Sequence, residues 1–398
     1  MTDSVSSRVA NLAQSATVAM NQKSNDLKAK GIDIINLSVG EPDFPTPDHI
    51  KEAAKKAIDN NFSYYPPVPG YPDLLKAISL KFKRENNLDF APEQIVVSTG
   101  AKNSLANAIL ALIDKDDEVV IPAPYWVTYA ELVKLAEGKC VVVNGNIDND
   151  FKITPQQLEN AITPKTKAFL LCSPNNPSGT FYSKGELEAI ARVIEKHRGI
   201  FVITDEIYEH INFTGKHQTI GQFDFIKDRV VIINGVSKAY AMTGWRIGYM
   251  AAPLWLAKAC IKLQGQLITG ATTIAQRAAI EALTGDQACV AAMNVAFKRR
   301  RDLILGLLKE IPGLKTSVPG GAFYVFPQVS SYFGKSDGSN VINSSNDLCL
   351  YLLDKAHIAT VPGEAFGDPA CIRISFATAD ENLTEAMSRM KKALAALK

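Results

Sequence analysis

Short apolar runs alternate with amphipathic stretches through the middle of the chain. The runs occupy residues 95–98, 118–121, 140–143, 167–172, 200–204 and 230–233. Between them, a serine or threonine followed three residues later by glutamate or glutamine predicts helix starts at Ser183 and Thr154. Strands that alternate with helices favour a mostly parallel sheet covered by helices on both faces. The pattern therefore predicts an α/β fold.

The two ends of the chain show a different pattern. Residues 10–30 are helix-prone and end at Gly31, a candidate C-terminal cap, and a short apolar run follows at 32–37. A long helical region at about 253–310 precedes apolar runs at 320–326 and 372–376 and helical patterns at 346–356 and 381–397. We expect three parts: an N-terminal segment, 1–47, that joins the small domain, a large domain, 48–310, and a small α+β domain, 311–398.

Two proline-rich segments interrupt these patterns. Residues 38–47 hold three prolines and a glycine, which predicts a fixed, non-helical crossing. Residues 64–72 predict a rigid loop that cannot join a sheet, because proline removes a backbone donor and fixes φ. The second segment holds several tyrosines, which is typical of an interface or a ligand wall.

Composition narrows the function. The 398 residues carry a formal net charge of +2, with 46% apolar and 21% charged residues, so neither nucleic acid nor a membrane is an expected partner. The six cysteines show no paired spacing, and the five histidines form no cluster, so we expect reduced thiols and no metal site. No signal-like region or apolar run of about 18 residues is present, which predicts a cytoplasmic protein.

The stretch after residue 230 holds the most informative chemistry. Lys238 follows an apolar run and is flanked by small residues, and Arg246 lies eight positions later. A lysine desolvated at a strand end has a lowered pKa and can attack an aldehyde, while the arginine can hold a phosphate or carboxylate. On this stretch alone, a surface loop with two unrelated cations is an equally good interpretation.

Other predicted strands also end in polar or small residues. Gly100, Ala101 and Lys102 open a helix, where free backbone N–H groups suit a phosphate. Asn176 follows another strand, and Asp205 and Tyr208 follow a third. In a doubly wound sheet these strand ends share one crevice. Pyridoxal phosphate would use all of them, because it needs a lysine for its aldehyde, a carboxylate for its ring nitrogen, donors for its phenolic oxygen and a phosphate cradle.

With these residues in this order, the chain resembles the pyridoxal-phosphate-dependent class I aminotransferases of fold type I. It is most similar to the bacterial aspartate aminotransferase branch, which also includes prephenate aminotransferases. The likeness runs almost from end to end and rests on the motifs SVGEPDFPTP, YYPPVPGYP, PYWVTY, SPNNPSG, DEIYEHI, SKAYAMTGWRIGY, GAFYVF, VPGEAFG and IRISFA. It implies a mostly parallel seven-stranded sheet sandwiched by helices, with a smaller α+β domain built from both termini.

The resemblance also implies catalytic roles. Lys238 would carry the cofactor and transfer protons. Asp205 would pair with the ring nitrogen, Tyr208 and Asn176 would bind the phenolic oxygen, and Trp126 would stack on the ring. The phosphate would be held by the backbone amides of Gly100, Ala101 and Lys102, together with Ser237 and Arg246. Many relatives carry a serine three residues before the lysine, where this chain has Gly235, which places more of the phosphate binding on Ser237.

The resemblance implies substrate and partner contacts as well. Arg373, with Gly40, Asn176 and Trp126, would bind the substrate at its α-carboxylate end. The side-chain carboxylate of aspartate would meet Lys102, Ser15 and Thr17, although spacing alone favours a helix cap for the two hydroxyls. Tyr65 would reach the cofactor of a second subunit, so the active unit would be a homodimer with shared sites.

The expected reaction moves the amino group of L-aspartate to 2-oxoglutarate in a ping-pong sequence. Prephenate or an aromatic amino acid is the alternative substrate, and a carbon–sulfur lyase remains an alternative on the same scaffold. A ligand-sensing regulator is disfavoured because no residues are left for a DNA-binding module. A nicotinamide dehydrogenase is disfavoured because no strand is followed by GxGxxG.

Overall fold

The computed structural model describes residues 5–398, so the first four residues of the predicted N-terminal segment lie outside the described part. Its α-helices are α1 (Ser7–Ala10), α2 (Ala16–Ala29), α3 (Asp48–Asp59), α4 (Pro72–Lys81), α5 (Ala101–Leu112), α6 (Thr128–Leu135), α7 (Pro155–Ala161), α8 (Lys184–Lys196), α9 (Leu254–Leu267), α10 (Thr273–Thr284), α11 (Ala288–Lys309), α12 (Ser345–Lys355) and α13 (Asp380–Ala395). Within this range, no helix is both long and apolar enough to cross a membrane.

The strands are short, and most of their residues are buried. They are β1 (Ile35–Asn36), β2 (Ile95–Thr99), β3 (Glu118–Ala123), β4 (Lys139–Asn144), β5 (Thr166–Cys172), β6 (Phe201–Asp205), β7 (Val230–Gly235), β8 (Ile247–Ala251), β9 (Tyr324–Val325), β10 (Ile358–Ala359), β11 (Val361–Pro362) and β12 (Ile372–Ser375). Strands β2 to β8 form one seven-stranded sheet in the order β2-β8-β7-β6-β5-β3-β4. Strand β8 alone runs opposite in direction to the other six strands, so the predicted mostly parallel sheet is confirmed.

Helices cover both faces of this sheet. Successive residues of a strand point to opposite faces, so Ile232 packs in one apolar cluster while Val231 and Ile233 pack in another. The first cluster includes side chains of α3, α4, α8 and α10, and the second includes side chains of α5, α6 and α9. Burial on both faces explains why these strands read as continuous apolar runs in the sequence.

A third cluster joins the two ends of the chain. Strand β1 pairs in parallel with β10, and β11, β12 and β9 form a small antiparallel sheet. Met20 from α2, Phe297 from α11 and Leu383 from α13 share this cluster. The smaller α+β unit is therefore built from N-terminal and C-terminal segments, as the resemblance implies.

Two predicted helices differ in extent from the observed ones. The predicted helix at 10–30 begins only at Ala16, because the preceding segment leaves helical geometry and the Ala13 N–H donates to the Glu131 carboxylate at 2.7 Å. It ends before Gly31, which has the expected positive φ of 82°. The long region at 253–310 is three helices, and Thr269, with a φ of 63°, lies in the first break.

Candidate active site

A cavity of about 470 Å³ opens at the carboxyl ends of the central strands. It brings together residues that are more than 300 positions apart in the sequence. The predicted site residues that line it are Ser15, Thr17, Gly40, Ala101, Lys102, Trp126, Asn176, Asp205, Tyr208, Ser237, Lys238, Arg246 and Arg373. Two predicted site residues do not line the cavity. Gly100 packs against the Arg246 guanidinium, and Tyr65 is 90% exposed.

Lys238 lies in the turn that follows β7, with its amine inside the cavity. The Nζ atom donates a 2.5 Å hydrogen bond to the carbonyl oxygen of Gly40 and lies 6.0 Å from the centre of the Tyr208 ring. Burial lowers the pKa of this amine from 10.5 to about 8, with Arg373 and Arg246 acting in the same direction and Glu41 opposing them. About a tenth of the amine is thus uncharged and nucleophilic at pH 7, far more than for a lysine with the ordinary pKa.

Asp205 is the last residue of β6 and is buried. Its Oδ2 atom accepts a 2.8 Å hydrogen bond from the Tyr129 hydroxyl, and its Oδ1 accepts a 3.3 Å bond from the Ile207 N–H. Burial raises the pKa of this carboxyl group to about 6, although the two donors oppose that rise. A protonated ring nitrogen in the cavity would supply the cation that such a carboxylate lacks.

Tyr208 lies three residues after Asp205, in the turn that follows β6. Its hydroxyl is 2.8 Å from the Tyr324 hydroxyl, and burial raises the pKa of Tyr208 well above its ordinary value. Both phenols therefore stay protonated at neutral pH. At least one O–H donor is then available to an oxygen in the cavity.

Arg373, on β12, is buried and lines the cavity. Its Nη1 donates to Asn176 Oδ1 at 3.0 Å, and its Nη2 donates to the Ser38 carbonyl oxygen at 2.5 Å. Its Nε atom is buried without a hydrogen-bond partner in the described part of the chain. A buried guanidinium with a free donor is suited to a carboxylate ligand.

The start of α5 forms a cradle against Arg246. Gly100 has a φ of 82°, and a Cβ added there would lie 2.3 Å from Arg246 Nη2. The Arg246 guanidinium donates to the carbonyl oxygens of Thr243 and Thr99, at 2.9 and 3.4 Å. Glycine is therefore required for the helix N-terminus and the guanidinium to approach the same space.

The packing of Gly235 explains why this position has no side chain here. Gly235 pairs with Gly248 across β7 and β8, and a Cβ at Gly235 would lie 2.9 Å from both Gly248 Cα and the Ile247 carbonyl oxygen. Ser237, two residues later, lines the cavity.

The opposite wall carries Lys102 and the N-terminal hydroxyls. Lys102 Nζ lies 4.9 Å from the centre of the Trp126 ring, and burial together with Arg246 lowers the pKa of this amine. Ser15 is at the N-cap position of α2 but makes no side-chain capping bond, so the expected capping role is not observed. The Thr17 Oγ1 atom is buried and has no partner among residues 5–398.

Residues 32–390 match the family described as aminotransferase class I and II. The chain belongs to this family. Its sequence is 48% identical to the probable aspartate/prephenate aminotransferase of Rickettsia bellii, over 99% of each chain. The predicted family is therefore confirmed.

Solved aminotransferase structures have the same fold. The aspartate aminotransferase of Rhizobium meliloti superposes with a TM-score of 0.96 at 41% identity, covering 99% of this chain and 100% of that one. The aspartate aminotransferase of Thermus thermophilus with maleate gives a TM-score of 0.93 at 40% identity, covering 98% and 99%. The predicted fold-type-I architecture is confirmed by these likenesses.

Aminotransferases of this family use pyridoxal phosphate, which confirms the predicted cofactor. The cavity fits that group chemically. It offers an amine of lowered pKa, a buried carboxylate without a directly bonded cation, protonated phenols and a glycine-bounded cradle beside an arginine. No single one of these features is specific, but the cofactor requires all of them in one cavity.

Sequence reasoning missed two residues that contact the predicted ones. Tyr129 and Tyr324 bond to Asp205 and Tyr208, and both lie in motifs that carry the family resemblance. Their position in the motifs was the available signal. No periodicity argument distinguishes these tyrosines from ordinary core aromatics, because both are also fully buried.

Proposed function

We propose that this aminotransferase transfers the amino group of L-aspartate to 2-oxoglutarate, releasing oxaloacetate and L-glutamate in two half-reactions. One observation carries the proposal. Arg373 and Lys102 both line the cavity, and neither forms an ion pair with a carboxylate of residues 5–398. The other two cations of the cavity, Arg246 and Lys238, are assigned to the cofactor, so Arg373 and Lys102 remain for a substrate with two carboxylates. The relatives named above are aspartate or aspartate/prephenate aminotransferases, and the Thermus structure contains the dicarboxylate maleate.

Pyridoxal phosphate, when bound, withdraws the electrons left on the substrate Cα after a proton is removed. Lys238 Nζ is the proposed base that removes this proton, and its lowered pKa supports that role. The negative charge of the Asp205 carboxylate would keep the ring nitrogen of the cofactor protonated. Tyr208 and Asn176 donate to the phenolic oxygen, and Trp126 packs on the ring face.

The phosphate contacts follow from the cradle. We assign them to Arg246, Ser237 and the backbone N–H groups of Gly100, Ala101 and Lys102. The positive φ of Gly100 and its contact with Arg246 support this assignment.

Substrate contacts lie on two walls of the cavity. Arg373 binds the α-carboxylate, and Asn176 orients the guanidinium through its 3.0 Å hydrogen bond. Gly40 leaves room for the Tyr324 hydroxyl on that wall, since a Cβ at this position would lie 2.5 Å from the hydroxyl oxygen. Lys102, Ser15 and Thr17 bind the side-chain carboxylate, and the unpartnered Thr17 hydroxyl supports this part of the proposal.

Prephenate is a second candidate substrate, because the relative at 48% identity is named for both substrates. Prephenate is also a dicarboxylate and would use the same two cations. Steady-state kinetics test both candidates. The dicarboxylates aspartate and prephenate are compared with the monocarboxylates alanine and phenylalanine. We expect kcat/KM to be highest for one of the dicarboxylates. A preference for alanine would contradict the role given to Lys102.

An absorbance spectrum tests the cofactor chemistry directly. Purified protein should show the visible band of lysine-bound pyridoxal phosphate, and aspartate should bleach it. Lys238→Ala should lack the band and turn over at the background rate. Normal turnover by Lys238→Ala would contradict the proposed mechanism.

We propose that the active unit is a homodimer in which Tyr65 reaches the partner's cofactor phosphate. The 90% exposure of Tyr65, in a proline-rich loop beside the equally exposed Tyr64, supports this role. Mixing inactive Lys238→Ala with Tyr65→Ala tests it, because a mixed dimer would hold one intact site. Activity above that of either variant alone is the expected result.

We also propose the domain division 1–47, 48–310 and 311–398. The separate apolar clusters of the large and small units support two units, and Phe297 of α11 packs in the cluster of the small unit although it precedes residue 311. A cytoplasmic location is proposed from the cysteines. All six are free thiols, as is usual in a reducing compartment. Cell fractionation tests the location.

A further inference from the structure

The turn that carries Asp205 and Tyr208 has a second, buried face. Asp205 and Tyr208 line the cavity, whereas Glu206 and Glu209 point away from it and are 1% and 5% exposed. Burying a carboxylate is costly unless donors or cations compensate it. The partners of these two glutamates therefore show what holds the turn in place.

Glu209 has three partners, which come from different elements. Asn86, just after α4, donates to Oε1 at 2.7 Å, and Asn234, on β7, donates to Oε2 at 2.7 Å. The Lys81 ammonium, fully buried on α4, also bonds to Oε2. Its charge holds the pKa of Glu209 well below the ordinary range, so this carboxylate stays ionised.

The strands β6 and β7 separate at the point where the catalytic groups begin. Their pairing ends at Asp205 and Ile233, and one further backbone bond joins the Glu206 N–H to the Ile233 carbonyl oxygen. Beyond it, Asn234 and Gly235 pair with β8 on the other side. The hydrogen bond from Asn234 to Glu209 spans the gap between the separating segments.

Both ends of this hydrogen bond lie close to catalytic residues. Glu209 follows Tyr208 directly, and Asn234 lies four residues before Lys238. The Asn234 Oδ1 atom accepts a 2.7 Å bond from the Gly235 N–H, which fixes the amide so that its Nδ2 faces Glu209.

We propose that the Asn234–Glu209 hydrogen bond is a brace that fixes the turn bearing Tyr208 against the strand end bearing Lys238. Asn234 and Glu209 are then positioning residues for the reaction. This inference rests on the proposed roles of Lys238 and Tyr208. Small errors in the placement of a base relative to the reacting atom reduce kcat more than they change ground-state binding.

A metal site is a weaker interpretation of the same region. Ligand atoms of Glu85, Glu209 and His210 lie within 4.8 Å of one another. The Lys81 ammonium already bonds to Glu209 and lies 3.5 Å from Glu85 Oε2. The cation of this cluster is therefore the lysine, which pairs with the buried Glu209 carboxylate.

The chain offers a matched pair of variants. Asn234→Ala and Asn86→Ala each remove one buried amide that donates to the same carboxylate at 2.7 Å, but only Asn234 lies on the strand that leads to Lys238. With pyridoxal phosphate and aspartate supplied, we expect Asn234→Ala to lower kcat about tenfold or more, with less than about a threefold change in KM. We expect Asn86→Ala to keep kcat within about threefold of wild type.

Equal losses of kcat in the two variants, or no loss in Asn234→Ala, would overturn the brace. Asn234→Ser is the second variant, because its hydroxyl is too short to reach Glu209 while the site stays polar. It should lose kcat as Asn234→Ala does.

Hydrogen exchange of the cofactor-free protein gives a readout that does not depend on activity. In Asn234→Ala, peptides spanning 205–211 and 234–242 should exchange faster together, while peptides from α9 and α13 keep their rates. Uniformly faster exchange would mean general destabilisation and would overturn the proposal. If wild type failed to transaminate aspartate, the proposed function would fail, and the exchange comparison would still decide the brace.

Discussion

The Tyr129 hydroxyl donates a 2.8 Å hydrogen bond to Oδ2 of Asp205, and both side chains are buried. The tyrosine comes from α6 and the aspartate from the end of β6, 76 residues later. Burial raises the pKa of Asp205 to about 6, and the Tyr129 donor acts against that rise. Tyr129 therefore helps to keep Asp205 ionised in the pH range where a protonated ring nitrogen needs it.

Tyr129→Phe should move the acid limb of the pH–rate profile to higher pH. Removing the donor destabilises the ionised carboxylate, so a shift on the order of one pH unit is expected for the loss of one buried hydrogen bond. The profile of kcat/KM for aspartate between pH 5 and pH 9 measures it. An acid limb that stays in place would show that the hydrogen bond does not control Asp205.

Asp205→Asn should make the cofactor-free protein less sensitive to pH. Because the folded-state pKa of Asp205 is raised from 3.8 to about 6, the stability it contributes is fully present below about pH 4 and lost as pH rises through 6. The variant avoids this loss, which amounts to about 2–3 kcal/mol at neutral pH. Urea unfolding at pH 4.5 and 7.5 measures the difference. The exposed Asp59→Asn is the control and should behave as wild type.

Uptake of pyridoxal phosphate by the cofactor-free protein should accelerate with pH and level off above about 8. The reason is that Lys238 reacts as the free amine, and burial lowers its pKa to about 8. Stopped-flow absorbance at several pH values measures the rate. A rate that still climbs steeply near pH 10 would indicate an ordinary solvated lysine.

The Lys102→Met variant should bind dicarboxylate substrates less tightly than the wild type does. Removing the cation assigned to the side-chain carboxylate should raise KM for aspartate by about tenfold or more, because a charge-assisted contact is lost, and should leave KM for alanine nearly unchanged. Lys139→Met is the control, since Lys139 is paired with Asp116 at 2.7 Å outside the cavity. A parallel rise in KM for both amino acids would point instead to a phosphate contact alone.

Gly100→Ala should weaken cofactor binding. The added Cβ would collide with Arg246 and strain a backbone held at a φ of 82°, so an increase of about tenfold or more in the Kd for pyridoxal phosphate is expected. Gly185→Ala is the matched control, because a Cβ there meets nothing within 4 Å. Fluorescence titration of the two cofactor-free variants compares them. Equal affinities would contradict the proposed cradle.

Some of the site was readable from the chain because strand ends in an α/β sheet share one edge. Asp205 and Lys238 each follow an apolar run, and this placement was enough to predict that they line one crevice. Arg373 and Thr17 were identified by family resemblance alone, because they lie on β12 and α2, outside the central sheet. No local pattern connects those elements to the crevice.

The sequence by itself determined the alternation of strands and helices, the family and the types of chemical group in the site. These follow from side-chain periodicity and from residue types that only one cofactor requires together. Only the tertiary structure decided that Tyr129 donates a hydrogen bond to Asp205, that Gly235 has no room for a side chain, and that Asn234 donates a hydrogen bond to Glu209. Such contacts join residues far apart in the chain, and the packing of whole elements fixes their distances and burial.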